Sequence, residues 1–168
     1  MIIEEELNYL KMVDCPESVI QHSIAVAKEA MKIADKVVIN IDRNLILKGA
    51  VNHDIGRSKT HKLDHFIVGA EIAAELGMDE DIVRIIERHI GAGIPKEEAV
   101  ACGLPARNFI PVTPEEIIVS YADNLVDHVT AISFEQALDK FRTLLGYDHP
   151  AIDRFIIMHE EMQSWMNE

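Results

Sequence analysis

Aromatic side chains are scarce, at 5% of the 168 residues, so the core has to be aliphatic, built from Ile, Val, Leu, Ala and Met. Cysteine is nearly absent. Cys15 and Cys102 lie far apart in no metal or redox motif, which points to a reduced, cytoplasmic protein whose cysteines are incidental. Basic residues are few, 16 Lys+Arg against 29 Asp+Glu, for a formal net charge of -13. That balance argues against a binder of extended nucleic acid or anionic membrane, because backbone phosphates would be repelled. It leaves open a small anion bound at a metal, where the ion supplies local positive charge. No apolar run is long enough to span a bilayer, and the N-terminus MIIEEELNYL is acidic where a signal peptide would be basic. Repeats, Ser/Gly linkers and low-complexity tracts are missing too, so residues 1–168 read as a single domain.

What the chain does have is 48% hydrophobic and 27% charged residues, the balance of a globular protein. Apolar spacing is helical nearly throughout, with no convincing two-residue alternation. The longest helix is expected from Pro16 to about Val38. It carries Ile20, Ile24, Ala27, Met31, Ala34 and Val38 on one stripe, and Val19, His22, Val26, Ala30, Ile33 and Val37 on another. Two apolar faces place it centrally. A helix opens at Asp42 and runs through LILKGAVNH. Another follows Asp64 and ends at Gly77, and a third is capped by Asp79, with Met78 and Val83 as a staple, and ends at His89. Residues 90–112 read as a long loop with a helical turn over Lys96 to Cys102, a length often associated with function. Thr113-Pro114-Glu115-Glu116 reads as a capping box opening a helix to about His128, with Val112 and Ile117 as its staple. Ser133 to Gln136 is a second capping box, Gly146 closes its helix, and a last amphipathic helix follows Pro150. The expectation is an all-α bundle of about seven or eight helices, with a core region over 16–128 and C-terminal helices over 133–167 packing on it.

Histidine is the informative residue type, with eight in the chain. His22, His53, His65 and His89 sit on otherwise apolar faces of four different helices, near helix ends. A buried imidazole must be hydrogen-bonded or metal-bound, since an unpaired polar group there costs on the order of 1–3 kcal/mol. One such histidine is ordinarily a satisfied core residue; four together are harder to explain that way. His53 is followed directly by Asp54, so both could turn toward one ion. Asp123 lies between Val119 and Val126 on an apolar stripe, and no basic residue on its helix could pair with it.

His22, then His53-Asp54, then Tyr121-Ala122-Asp123, spread over about a hundred residues, resembles the HD-domain metal-dependent phosphohydrolases. The tetrapeptide His53-Asp54-Ile55-Gly56 matches the most frequent form of the family motif. The resemblance covers roughly Pro16 to His128 and implies an all-α fold in which His22, His53, Asp54 and Asp123 bind one divalent metal. His65 and His89 stand where a subset of the family completes a second site, with Asp54 bridging two ions; the alternative is that they contact substrate phosphate or donate a proton.

One or two divalent ions are therefore expected. Four histidines and two carboxylates suit Mn²⁺, Fe²⁺, Co²⁺, Ni²⁺ or Zn²⁺ better than Mg²⁺. The resemblance implies metal-activated water attacking a small phosphomonoester or phosphoanhydride, a nucleotide first. Asp54 and Arg57 would be the catalytic groups, and Arg57, Lys59, Lys96 and Arg107 the candidates for substrate phosphate; Lys62 reads as a solvated loop lysine. His61, His128, His149 and His159 fall outside the pattern, with His128 expected at a helix C-terminus. Two other readings stay open: a di-iron oxygenase of the same fold, and a non-catalytic nucleotide-sensing module. The apolar last helix, with Phe155, Ile156, Met162 and Trp165, could serve a homodimer.

Overall fold

The computed structural model describes residues 3–166. Short helices α1 (Ile3–Glu6) and α2 (Asn8–Met12) lead into α3 (Glu17–Lys36), the longest element among the described residues. Then come α4 (Arg43–Asn52), a 3₁₀ turn (Ile55–Ser58), α5 (His65–Glu75), α6 (Glu80–Glu87), α7 (Lys96–Ala101) and α8 (Pro114–Asn124). A hairpin of β1 (Val126–Asp127) and β2 (Thr130–Ala131) separates these from α9 (Phe134–Leu145) and α10 (Pro150–Trp165). The fold is all-α, and among the described residues seven of its helices run to eight residues or more.

Helix α3 is central for the reason its two apolar stripes give. Val19, Ile20, Val26, Ala27, Ala30, Met31, Ile33 and Ala34 are all buried, and the helix packs against both α4 and α8. It ends at Lys36 rather than near Val38, because Val37 turns extended and bridges to Met166 while Val38 N–H donates to the Trp165 carbonyl at 2.8 Å. Asp42 caps α4 by accepting from Leu45 N–H at 3.0 Å. Gly49 lets α4 lie directly on α6: a Cβ there would stand 2.6 Å from Ile85 Cδ1.

Three further local features differ from the expectation. Helix α8 stops at Asn124, and the β-branched residues Val126, Val129 and Thr130 form the hairpin in place of a last helical turn. His128 therefore sits in the hairpin turn at φ 56°, not at a helix C-terminus. The Thr113 capping box is half made. Thr113 accepts from Glu116 N–H, but the buried Glu116 carboxylate faces Arg88 at 3.0 Å through both oxygens and accepts from Val112 N–H at 2.7 Å. The Ser133 box is complete, with Gln136 and Ser133 each bonding the other's backbone.

Residues 90–112 are a braced loop. Ile94 and Phe109 exchange backbone hydrogen bonds, Phe109 meets Phe66 edge-on, and Arg154 of α10 reaches across to Glu98 at 2.7 and 2.8 Å. The face of α10 expected to serve a dimer is used inside the chain: Phe155 and Met162 are fully buried, and Ile156 and Trp165 pack against the same core. Among the described residues, no helix is long and apolar enough to cross a membrane.

Candidate metal centre

Six side chains converge from five places in the fold: His22 from α3, His53 and Asp54 after α4, His65 at the start of α5, His89 after α6, and Asp123 at the end of α8. Gly56 makes the convergence sterically feasible. A Cβ on it would lie 1.8 Å from the His65 carbonyl oxygen, so only glycine lets the turn after Asp54 sit against α5. Gly69, one turn further along α5, faces the same backbone.

Each imidazole is held by its back nitrogen. His53 Nδ1 donates to the Ala50 carbonyl at 2.7 Å, His65 Nδ1 to Lys62 at 2.8 Å, and His89 Nδ1 to Ile86 at 2.7 Å. His22 Nδ1 faces the His128 carbonyl at 2.5 Å. A carbonyl only accepts, so Nδ1 carries the proton in all four rings and Nε2 points inward. Such backbone-held rings are what a metal-ligating histidine ordinarily shows. Ser120 adds a brace behind His89, its hydroxyl lying 3.2 Å from the His89 carbonyl and 2.7 Å from that of Gly91.

The inward atoms meet two carboxylates. Asp54 presents Oδ2 to His22 at 3.7 Å and to His53 at 3.5 Å, and Oδ1 to His65 and to His89, each at 3.3 Å. Asp123 Oδ1 lies 3.0 Å from His22 Nε2 and 3.3 Å from His53 Nε2. Burial alone would raise the Asp54 carboxyl, but His53 beside it, with His65 and His89, holds it well below the usual carboxylate range. Asp123 is likewise held down against its burial, by His53 and His22. Burial lowers His53, yet the two aspartates overcome that and push it up to about 9. Burial lowers His89, and the charge of His53 lowers it further.

These residues fit divalent metal. His53 Nε2 and His65 Nε2 are buried with no hydrogen-bond partner among the described residues, a cost unless a cation meets them. Donor atoms about 2.1 Å from one ion, at angles between octahedral and tetrahedral, stand about 3.0–3.4 Å apart, close to the spacings seen here. Three overlapping donor sets result: His22, His53 and Asp54; His53, His89 and Asp123; and Asp54, His65 and His89. Because Asp54 offers one oxygen to each side, the cluster has room for one ion or for two.

Arg57 joins the cluster, with Nε 3.3 Å from Asp54 Oδ2, and lines two clefts at its mouth. One, of about 860 Å³, runs from Arg57 and Asp123 along α9 past Gln136, Lys140 and Phe141. The other, of about 420 Å³, lies over His22 and Asp54 beside Ser18, Gln21 and Val129. Lys59 is exposed and lines neither cleft. Lys96 is exposed at the start of α7, and Arg107 pairs with Glu87 at 2.6 Å while covering the Phe109 ring. Three contributors carry no sign in the sequence: the His128 carbonyl, Ser120, and Asn124, which lines the larger cleft and donates to Gly91 at 2.7 Å. A backbone carbonyl has no sequence signature, and Ser120 and Asn124 are ordinary polar residues on a helix.

The chain is 42% identical over 167 residues to an uncharacterized protein of Methanocaldococcus jannaschii, covering 98% of both chains. It is 45% identical over 158 residues to a tRNA (cytidine(56)-2'-O)-methyltransferase of Picrophilus torridus, where the match takes in 94% of this chain and 45% of the relative. Ribonuclease Y of Thermosipho melanesiensis is 33% identical over 111 residues, 65% of this chain and 18% of that enzyme. Among solved structures, the HD domain of the L. monocytogenes phosphodiesterase PgpH in complex with cyclic-di-AMP superposes with a TM-score of 0.56 at 20% identity, over 94% of each chain. The HD domain pattern matches residues 19–126, which hold all six converging residues, and the chain belongs to the HD-domain family.

Proposed function

We propose that the chain is a metal-dependent phosphohydrolase acting on small phosphate esters or anhydrides, nucleotides first. The observation that carries this is the inward set of four Nε2 atoms and two carboxylates, opening through Arg57 onto a cleft of about 860 Å³. With its imidazoles neutral, as metal ligation through Nε2 requires, the site carries two negative charges of its own, so one divalent ion neutralises it and two make it positive. That creates a place for phosphate on a chain of net charge -13. The nitrogen-rich donor set suits Mn²⁺, Fe²⁺, Co²⁺, Ni²⁺ or Zn²⁺ better than Mg²⁺.

A divalent ion in such a site supplies Lewis acidity toward a phosphoryl oxygen and a lowered pKa for water. The chain's own groups do the rest. The Nδ1 anchors fix the direction of each imidazole, and Asp54 ties the His22–His53 side to the His65–His89 side. Arg57, half-exposed at the mouth, is placed to hold a phosphoryl oxygen and to offset charge that builds during transfer. Fully and nearly buried ligands keep bulk water from competing behind the cluster.

The names of two relatives favour a second reading, in which the ester belongs to RNA. The chain spans only 45% and 18% of those relatives, and its acidity disfavours a long strand. A panel of nucleotides and short RNAs, assayed for phosphate release and for chain cleavage after chelation and metal return, tests both readings. Metal-dependent turnover of small esters supports the first; efficient degradation of structured RNA without nucleotide turnover replaces it with the second.

A further inference from the structure

The smaller cleft over His22 and Asp54 does not end there. Gln21 and Val129 line it, and the same two residues line a second groove of about 340 Å³ that continues along α3. Ile24, Ala25, Val126 and Ala131 give this groove an apolar floor, and Lys28 and Lys32 stand along it. Gln21, Ala25, Lys28 and Lys32 follow one another at helical spacing, so they form one line on α3 leading away from His22. At 1.5 Å of rise per residue, Lys28 lies about 9 Å and Lys32 about 15 Å along the helix axis from His22.

Glu29 also lines the groove and faces Lys32 at 3.5 Å, whereas Lys28 makes no ion pair among the described residues. An exposed, uncompensated lysine beside an apolar floor, on a chain of net charge -13, is the arrangement that receives an anion attached to a flat or apolar body. The long flexible arm of lysine suits a phosphate as a point charge rather than as a bidentate partner.

We infer that this groove binds a second nucleotide unit of the substrate, with its phosphate at Lys28 and its base or sugar over Ile24, Ala25 and Val129, while the phosphate to be cleaved sits at the metal centre. The inference rests on the hydrolase reading for the position of the cleaved phosphate and extends it, by making a short oligonucleotide or dinucleotide a better substrate than a mononucleotide. Two lysines serve one or two phosphates; they do not make a track for a long strand.

The test compares wild type with Lys28→Glu on a dinucleotide carrying a terminal phosphate, on the same dinucleotide without it, and on a chromogenic phosphodiester with no second phosphate. The expected result is a KM raised about fivefold or more in the variant for the phosphorylated dinucleotide alone, with kcat unchanged. Equilibrium binding of labelled phosphorylated dinucleotide reads the groove without turnover. Lys28→Ala should weaken it and flatten the dependence of log K on log salt by about 0.7, the share of one phosphate contact to a single strand. Equal binding and equal salt dependence in wild type and variant overturn the groove, whatever the turnover. Weaker binding by the variant with no turnover by either protein upholds the groove and overturns the hydrolase reading instead.

Discussion

Gly56 and His65 meet backbone to backbone: a single methyl on Gly56 would stand 1.8 Å from the carbonyl oxygen of His65. The turn that carries Asp54 is thus seated on the first residue of α5, and this contact sets Asp54 Oδ1 3.3 Å from His65 Nε2. Two ligands that are eleven residues apart share one geometry because one glycine lacks a side chain.

Gly56→Ala should therefore damage the site before it damages the fold. Relieving the clash requires the turn and α5 to move apart, at a cost of about 1–3 kcal/mol or more for overpacking. The expected outcome is a lower melting temperature with bound metal falling well below the wild-type content. Wild-type stability and metal content together would show that the contact does not position Asp54.

His65→Ala and His89→Ala test whether the second side of Asp54 holds its own ion. Saturated wild type is expected to bind about two ions per chain, and each variant should fall toward one, since His65 and His89 both face Asp54 Oδ1 at 3.3 Å. An unchanged stoichiometry, read by elemental analysis after gel filtration, would reduce the centre to one ion.

Arg57→Ala should separate chemistry from metal retention. The guanidinium touches Asp54 but also faces both clefts, so its loss should lower kcat/KM by roughly a hundredfold, with bound metal kept. Arg57→Lys should restore only part of the activity, because an ammonium lacks the planar fork. Full activity in Arg57→Ala would remove this residue from the account.

The two cysteines should label unequally. Cys15 is buried, and burial together with the nearby charge of Asp54 pushes its thiol up to about 11, so little thiolate forms at neutral pH. Cys102 is exposed after α7. An alkylating reagent at pH 7.5 should add one label per native chain, and two in denaturant. Two rapid labels in the native protein would contradict the burial of Cys15.

Much of this was legible in the sequence, because the ligands are imidazoles and carboxylates placed on apolar faces, where chemistry is conspicuous. His22, His53, Asp54, His65, His89 and Asp123 were each identifiable on that ground, and the structure brings all six together. The Ser133 box was equally plain, because both of its bonds are local. What was illegible depends on distant partners. Glu116 reads as a capping residue in sequence, but Arg88, twenty-eight positions away, draws its carboxylate aside. The hairpin over β1 and β2 is too short for alternation to register, and its turn matters through a backbone carbonyl that any residue at position 128 would supply. Lys59, Lys96 and Arg107 are candidates by charge and by place, close after the motif or in the long loop; Lys59 and Lys96 are exposed, and Arg107 is held by Glu87.

The central claim is that His22, His53, Asp54 and Asp123, with His65 and His89, hold divalent metal that the reaction needs. The most direct measurement is phosphate release from a nucleotide panel by chelator-stripped protein, before and after return of Mn²⁺, Co²⁺ or Ni²⁺, beside Asp54→Ala treated identically. Wild type should be inactive when stripped and active on metal return, while Asp54→Ala should keep its helical circular dichroism, bind little metal and stay inactive throughout. Turnover by wild-type protein shown by elemental analysis to be free of metal, or full activity in Asp54→Ala, would contradict the account.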